Sequence, residues 1–180
     1  MIIGKSRTGS SYRWIVYHKD IGNTHALYLN ENFVKTDSVT FWNDTTPTSS
    51  VFSTVSNYSI GNDSKAIAYC FHDVTGYSKF GSYSGSGSQG SPSVNVGFKP
   101  DLLIVKRITG GAEQWWVGNS ATNSSDHWTE WMPLQSNERL QSDTIHSITV
   151  TSNGFEPYGT SGLVNASGSS YLYLAFKINS

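Results

Sequence analysis

Leu103-Ile104-Val105-Lys106-Arg107-Ile108-Thr109-Gly110, leading into Glu113-Gln114-Trp115-Trp116-Val117, reads as a strand, a short glycine turn and a tryptophan-bearing return strand. The same order stands near the start of the chain, where Ile2-Ile3-Gly4-Lys5-Ser6-Arg7-Thr8-Gly9 leads into Tyr12-Arg13-Trp14-Ile15-Val16. Each unit then crosses a long polar excursion and closes on an aromatic strand, Ala66-Ile67-Ala68-Tyr69-Cys70-Phe71 in the first and Tyr171-Leu172-Tyr173-Leu174-Ala175-Phe176 in the second. Spacings between matched elements differ by a few residues, which predicts one fold written twice. Two copies are too few for a solenoid. The expectation is a first β repeat over 1–73 and a second over 74–180, packed as one compact unit.

Composition points the same way. Charged residues are 14% and aromatics 13% of 180 residues, so Ser, Thr, Asn and Gly carry the solubility. Aromatic and β-branched residues suit pleated surfaces, and Gly, Ser and Asn supply turns, which predicts an all-β chain. The fold class expected is an antiparallel β-sandwich, jelly-roll or lectin-like. A net charge of -1 gives no long-range field for nucleic acid or an anionic membrane. The longest apolar runs, about six residues, fall far below the roughly 20 that cross a bilayer, so no membrane insertion is expected. The N-terminus carries no basic region followed by an apolar stretch, so no secretory signal is expected. Cys70 is the single cysteine and is expected as a buried, inert thiol. Lys5/Arg7 and Lys106/Arg107 read as strand-end charges.

Met1 enters a strand at once, whereas the second copy is preceded by Tyr77–Pro100, material the first copy lacks. This suggests either a natural truncation or a fragment of a longer tandem protein, the fragment being the favoured expectation. Within Tyr77–Pro100, two strands joined by a flexible Gly/Ser loop fit best. Further strands are expected at Ala26–Leu29, Val51–Val55 and His146–Thr151, with a turn at Asn153-Gly154. The stretches 30–50 and 120–143 read as surface loops with short strands, the usual place for binding.

Most chemical motifs have a plain structural explanation. Gly85-Ser86-Gly87-Ser88-Gln89-Gly90 matches a dinucleotide turn in letters, but Ser91-Pro92-Ser93-Val94 approaches a strand instead of opening a helix, so it reads as a hairpin loop. His18, His25, His72, His127 and His146 show no ligand spacing, so neither metal nor cofactor is expected. No Gly-x-Ser-x-Gly elbow is present, and Asp126, Glu130, Glu138 and Asp143 read as solvated loop acids, so no enzyme is expected. Asn43, Asn57, Asn62, Asn123 and Asn165 each begin an Asn-x-Ser/Thr triplet and are expected to carry no glycan.

The tryptophans remain. Adjacent strand residues face opposite ways, so one of Trp115 and Trp116 is expected in the core and the other exposed or covered by a loop. Trp128 and Trp131, with His127, offer an apolar floor with polar rims. Flat rings stack on sugars while Asn, Asp and Ser bond the hydroxyls. The candidate ligand site is therefore Trp115, Trp116, Asn123, Asp126, His127, Trp128 and Trp131, set against the reading in which these rings pack a loop over the sheet. Trp14 matches Trp115, and Trp42 sits in its excursion as Trp128 does in the other.

Ala66–Phe71, then Gly76-Tyr77-Ser78-Lys79-Phe80-Gly81-Ser82-Tyr83, then Gly97-Phe98-Lys99-Pro100-Asp101-Leu102-Leu103-Ile104-Val105-Lys106-Arg107 resemble tandem repeats in large virion proteins of marine tailed phages. Tyr12–His18, Ser152–Phe155 and Tyr171–Phe176 are similar too, so the resemblance covers nearly the whole chain. It implies a β-sandwich module, related in outline to lectin-like folds, on a tail fibre, tail surface or capsid exterior. It brings no catalytic residues. The first copy departs from the pattern by lacking the opening strands. The function expected is a virion-surface structural or adhesion module that binds a host-surface glycan, such as polysaccharide, or a receptor through its loop aromatics. Its partners would be other virion subunits, with a homo-oligomer open. The alternative is a purely architectural decoration or fibre spacer, and a glycan depolymerase stands behind both.

Overall fold

The computed structural model describes residues 1–8, 13–37, 40–55, 60 and 65–178, and among these the secondary structure is all strand and turn. Gly9, Tyr12, Asn57 and Asn62 lie outside the described residues. The chain divides into two compact units, Met1–Phe71 and His72–Ser180.

The first unit holds one antiparallel sheet of β1 (Ile2–Ser6), β2 (Ile15–Tyr17), β3 (His25–Tyr28), β4 (Thr36–Asp37) and β5 (Ala66–Cys70), ordered β4-β3-β2-β1-β5. One face buries Ile2, Ile15, Tyr17 and Tyr28 against Trp42, with Phe41, Phe52 and Ile60 packed on this cluster. Trp42 meets Tyr17 edge-on at 5.5 Å and donates its indole N–H to the His25 carbonyl. No strand forms at Val51–Val55; the backbone there is used for a Thr48–Val51 turn instead.

The second unit is a β-sandwich. Its larger sheet contains β6 (Ser78–Ser84), β8 (Leu102–Arg107), β9 (Trp115–Asn119), β11 (Glu130–Pro133), β12 (Gln141–Ser142) and β15 (Ser170–Phe176), ordered β12-β11-β9-β8-β15-β6. The smaller contains β7 (Val94–Asn95), β10 (His127–Trp128), β13 (Ile148–Thr151) and β14 (Gly154–Pro157), ordered β10-β13-β14-β7. Leu103, Val105, Trp116, Trp131, Tyr171 and Tyr173 from the first sheet meet Trp128, Ile148, Val150 and Phe155 from the second in one core. The turn before Gly154 falls where the sequence places it. Gly154 admits no side chain, because a Cβ there would stand 1.9 Å from the Val94 carbonyl oxygen.

The two larger sheets share one register. Adding 101 to every residue of the β1–β2 pairs Ile2↔Tyr17, Ile3↔Val16 and Gly4↔Ile15 gives the β8–β9 pairs Leu103↔Gly118, Ile104↔Val117 and Val105↔Trp116. Carried one residue further, this places Lys5 opposite Trp14 as Lys106 stands opposite Trp115. A shift of 105 maps β3, β4 and β5 onto β11, β12 and β15 with the same partners, so His25↔Asp37 becomes Glu130↔Ser142 and Ile2↔Cys70 becomes Leu103↔Ala175. The four extra residues sit between β9 and β11, where β10 is inserted.

Register also corrects one match. Trp128 precedes β11 whereas Trp42 follows β4, so the two indoles are not counterparts. The stretch after β6 is not a hairpin loop either. β6 and β7 lie in different sheets, and the Gly85–Gly90 segment that crosses between them is fastened by Asn165, whose side chain accepts from the Ser86 N–H and donates to the Ser88 carbonyl.

Candidate functional site

Four of the seven residues proposed for a ligand site are core. Trp115 and Trp116 are 1% and 0% exposed, Trp128 1% and Trp131 5%. Trp116 joins the core between the two sheets, and its neighbour Trp115, on the opposite face, is covered and not exposed, because β9 is buried on both faces: Trp115, Trp116, Val117 and Gly118 are all covered. Trp116 folds back along its own strand, and a Cβ on Gly118 would lie 2.4 Å from its ring. Trp128 and Trp131 stand on β10 and β11 instead of on a loop, and each points into the sandwich. A ring without exposed area has no face left for a sugar to stack on.

Asn123 is buried as well, and its work is structural. Its amide donates to the carbonyls of Asn119 and Glu130 at 3.1 and 2.9 Å, and its oxygen accepts the Glu130 N–H at 2.9 Å. Those bonds tie the β9–β10 connection to the start of β11. Asn165 is likewise fully buried and bonded, so the triplets at Asn123 and Asn165 present no exposed amide.

Asp126 and His127 do reach the surface. Asp126 forms a direct, exposed ion pair with Lys99, and the His127 ring shares a 2.9 Å hydrogen bond with Thr149 Oγ1. Because strands alternate, Trp128, Ile148, Val150 and Phe155 point inward while His127, Thr149 and Glu156 point outward. These three lie abreast, since Thr149 pairs with both His127 and Glu156. Tyr158, 37% exposed, meets the His127 ring edge-on at 4.6 Å. The outer face of the small sheet thus carries hydroxyl, imidazole, carboxylate and phenol groups side by side. Thr149 was legible from the alternation of Ile148-Thr149-Val150-Thr151; Tyr158 had no sequence signal.

A second cluster was missed by spacing. Asp143 accepts hydrogen bonds from the His146 backbone N–H at 2.8 Å, from the His146 ring at 2.9 Å and from the Trp131 indole at 3.2 Å. Burial raises the Asp143 pKa, but the bonds from His146 and Trp131 outweigh it and hold the carboxyl below its ordinary value. The arrangement locks the loop between β12 and β13 over the core.

Two charged-residue and thiol expectations are also corrected. Lys106 does stand at the end of β8, but it is not solvated there: it is 0% exposed, its ammonium donates to the Glu113 carbonyl and sits 5.8 Å from the Trp115 ring centre. Desolvation by burial lowers its pKa to about 8, against the opposing field of Glu113. Arg107 beside it reaches Glu113, the Thr109 carbonyl and Ser169, bracing the turn after β8. Cys70, expected in the core, is exposed, because its strand β5 is a sheet edge with every residue open to solvent. Among the described residues no group of three His, Cys, Asp or Glu side chains is placed to hold a metal ion.

No curated protein and no solved structure matches the chain. A family model does match, over residues 1–179, and on that span the chain belongs to the family described as a domain of unknown function, DUF7483.

Proposed function

We propose that the chain is an architectural β module of a virion surface, built to hold contacts between subunits and not to stack sugars on tryptophan. One observation carries this reading: the four indoles that made a glycan platform attractive are all buried in the second unit, three of them in the core between its sheets. The virion setting rests on the resemblance of Gly97–Arg107 and the strands around it to phage virion repeats. The repeated sheet register supports a modular, load-carrying role, since the same five-strand frame serves units with different cores.

Attachment to host-surface polysaccharide is the second reading, moved from the tryptophans to the outer face of the small sheet. Tyr158, His127 and Thr149 favour it, because an exposed phenol beside hydrogen-bonding groups is the composition a sugar site needs. Calorimetric titration of the folded chain with a panel of host-envelope polysaccharides separates the two. Flat heats are expected for an architectural module. Saturable binding that Tyr158→Ala and His127→Ala abolish would replace it with adhesion, and a fall in polysaccharide viscosity would replace both with a depolymerase.

A further inference from the structure

β5 reads Ala66-Ile67-Ala68-Tyr69-Cys70, apolar and uncharged at each position, yet all five residues are exposed. A continuous apolar run is the mark of a strand covered on both faces. Its counterpart β15 is such a strand, buried at five consecutive positions between β8 and β6. The backbone shows which groups of β5 lack a neighbour. Phe71 donates its N–H to the Met1 carbonyl and Arg7 donates to Lys65, so odd-numbered residues face β1. Ala66, Ala68 and Cys70 therefore turn their N–H and C=O groups to the open edge. In the other unit the matching residues Tyr171, Tyr173 and Ala175 bond to β6, as the flanking Gly85–Ser169 and Lys177–Tyr77 bonds show.

Other sheet edges among the described residues are guarded. β4, β7, β10 and β12 are two residues long. The outer edge of β6 is covered at its start, where Val74 bridges Ser78 and the Asp73 carboxylate takes the Phe80 N–H. β5 has neither charge, proline nor bulge, the devices that keep edges from pairing.

We propose that two copies of this chain pair edge to edge through β5, antiparallel about a two-fold axis at Ala68, extending both five-stranded sheets into one. The occupant is a second copy because the strand is self-complementary. With Ala68 on the axis, Ala66 meets Cys70 of the partner subunit, Ile67 meets the partner's Tyr69, and no charge meets a like charge. All three edge-facing residues fall on hydrogen-bonded positions, giving about six backbone bonds. Tyr69 is already held by stacking on Trp14 at 6.4 Å. Five residues per strand bury less than the roughly 800 Å² per partner of a standard interface, so pairing is weak and concentration-dependent. The pairing deepens the architectural reading by naming its partner.

Sedimentation velocity of the full chain over a concentration series tests it. The mass is expected to rise from monomer toward dimer. Ala68→Pro removes an edge N–H that β1 does not use, and Ile67→Lys adds like charge to both strands; each is expected to raise Kd at least about tenfold with the circular dichroism spectrum unchanged. Ala66→Cys, oxidised in the presence of the native Cys70, is expected to give a covalent dimer that Cys70 alone does not. A wild-type chain that stays monomeric, a dimer indifferent to Ile67→Lys, or an Ala66→Cys chain that fails to cross-link overturns the pairing. A monomer that binds no polysaccharide overturns the pairing alone; a dimer that binds polysaccharide overturns the architectural reading alone.

Discussion

Trp128→Ala separates a core indole from a binding indole. The ring is 1% exposed and packs with Trp116, Trp131, Ile148, Val150 and Phe155 in the core between the two sheets of the second unit. Truncating a buried tryptophan removes its transfer free energy and leaves a cavity, at a cost of about 3–5 kcal/mol. Domains commonly hold only about 5–15 kcal/mol in total, so the variant should be barely folded. For a domain of about a hundred residues, each kcal/mol shifts Tm by roughly 4–8 °C, which for this cost predicts a drop of roughly 12–40 °C. Differential scanning calorimetry on the chain, with urea unfolding followed by near-ultraviolet circular dichroism, measures it. Tyr158→Ala on the outer face provides the comparison and should change stability by less than about 0.5 kcal/mol. A Trp128→Ala chain with nearly unchanged Tm that has lost binding to a polysaccharide would refute the assignment of this ring to the core.

Three further outcomes follow from the same geometry. Asn123→Ala leaves the backbone groups of Glu130 and the Asn119 carbonyl without their partners and should cost about 1–3 kcal/mol in urea unfolding. Lys106 has a folded pKa of about 8, below the ordinary lysine value of about 10.4. Between those values the unfolded chain binds more protons, so stability should rise with pH from about 8 to about 10, a slope that Lys106→Met should flatten in a urea series. Asp143 has a folded pKa below its unfolded one, so its contribution is present above roughly pH 4 and disappears as pH falls through the folded value. Asp143→Asn should therefore weaken the protein near neutrality and flatten its acid limb in unfolding measured from neutral pH downward.

The sandwich class and the paired β units were open to reading because strand-forming runs and glycine turns are local. Leu103–Arg107 against Trp115–Val117 repeats the pattern of Ile2–Ser6 against Trp14–Val16, and both pair in the register the letters suggest. The fate of the tryptophans was not local. Alternation assigns Trp115 and Trp116 to opposite faces, but only the layers above and below the sheet decide whether either face meets water. The clue lay in Trp115-Trp116-Val117 being apolar at consecutive positions, as Tyr171–Ala175 is, since a strand with one wet face alternates. Ala66–Cys70 carries the same clue and is exposed, because among the described residues of the first unit the strand that flanks its counterpart has no equivalent beside it. Asp143, His146 and Trp131 meet only after β11, β12 and the following loop are folded, so no spacing announces them.

Collisional quenching of the intrinsic fluorescence by acrylamide tests the central claim most directly. With Trp42, Trp115, Trp116, Trp128 and Trp131 all buried, emission should be blue-shifted and quenching far weaker than for free indole, with the accessible fraction confined to Trp14. Red-shifted emission quenched as readily as the free amino acid would place the indoles at the surface and contradict the account.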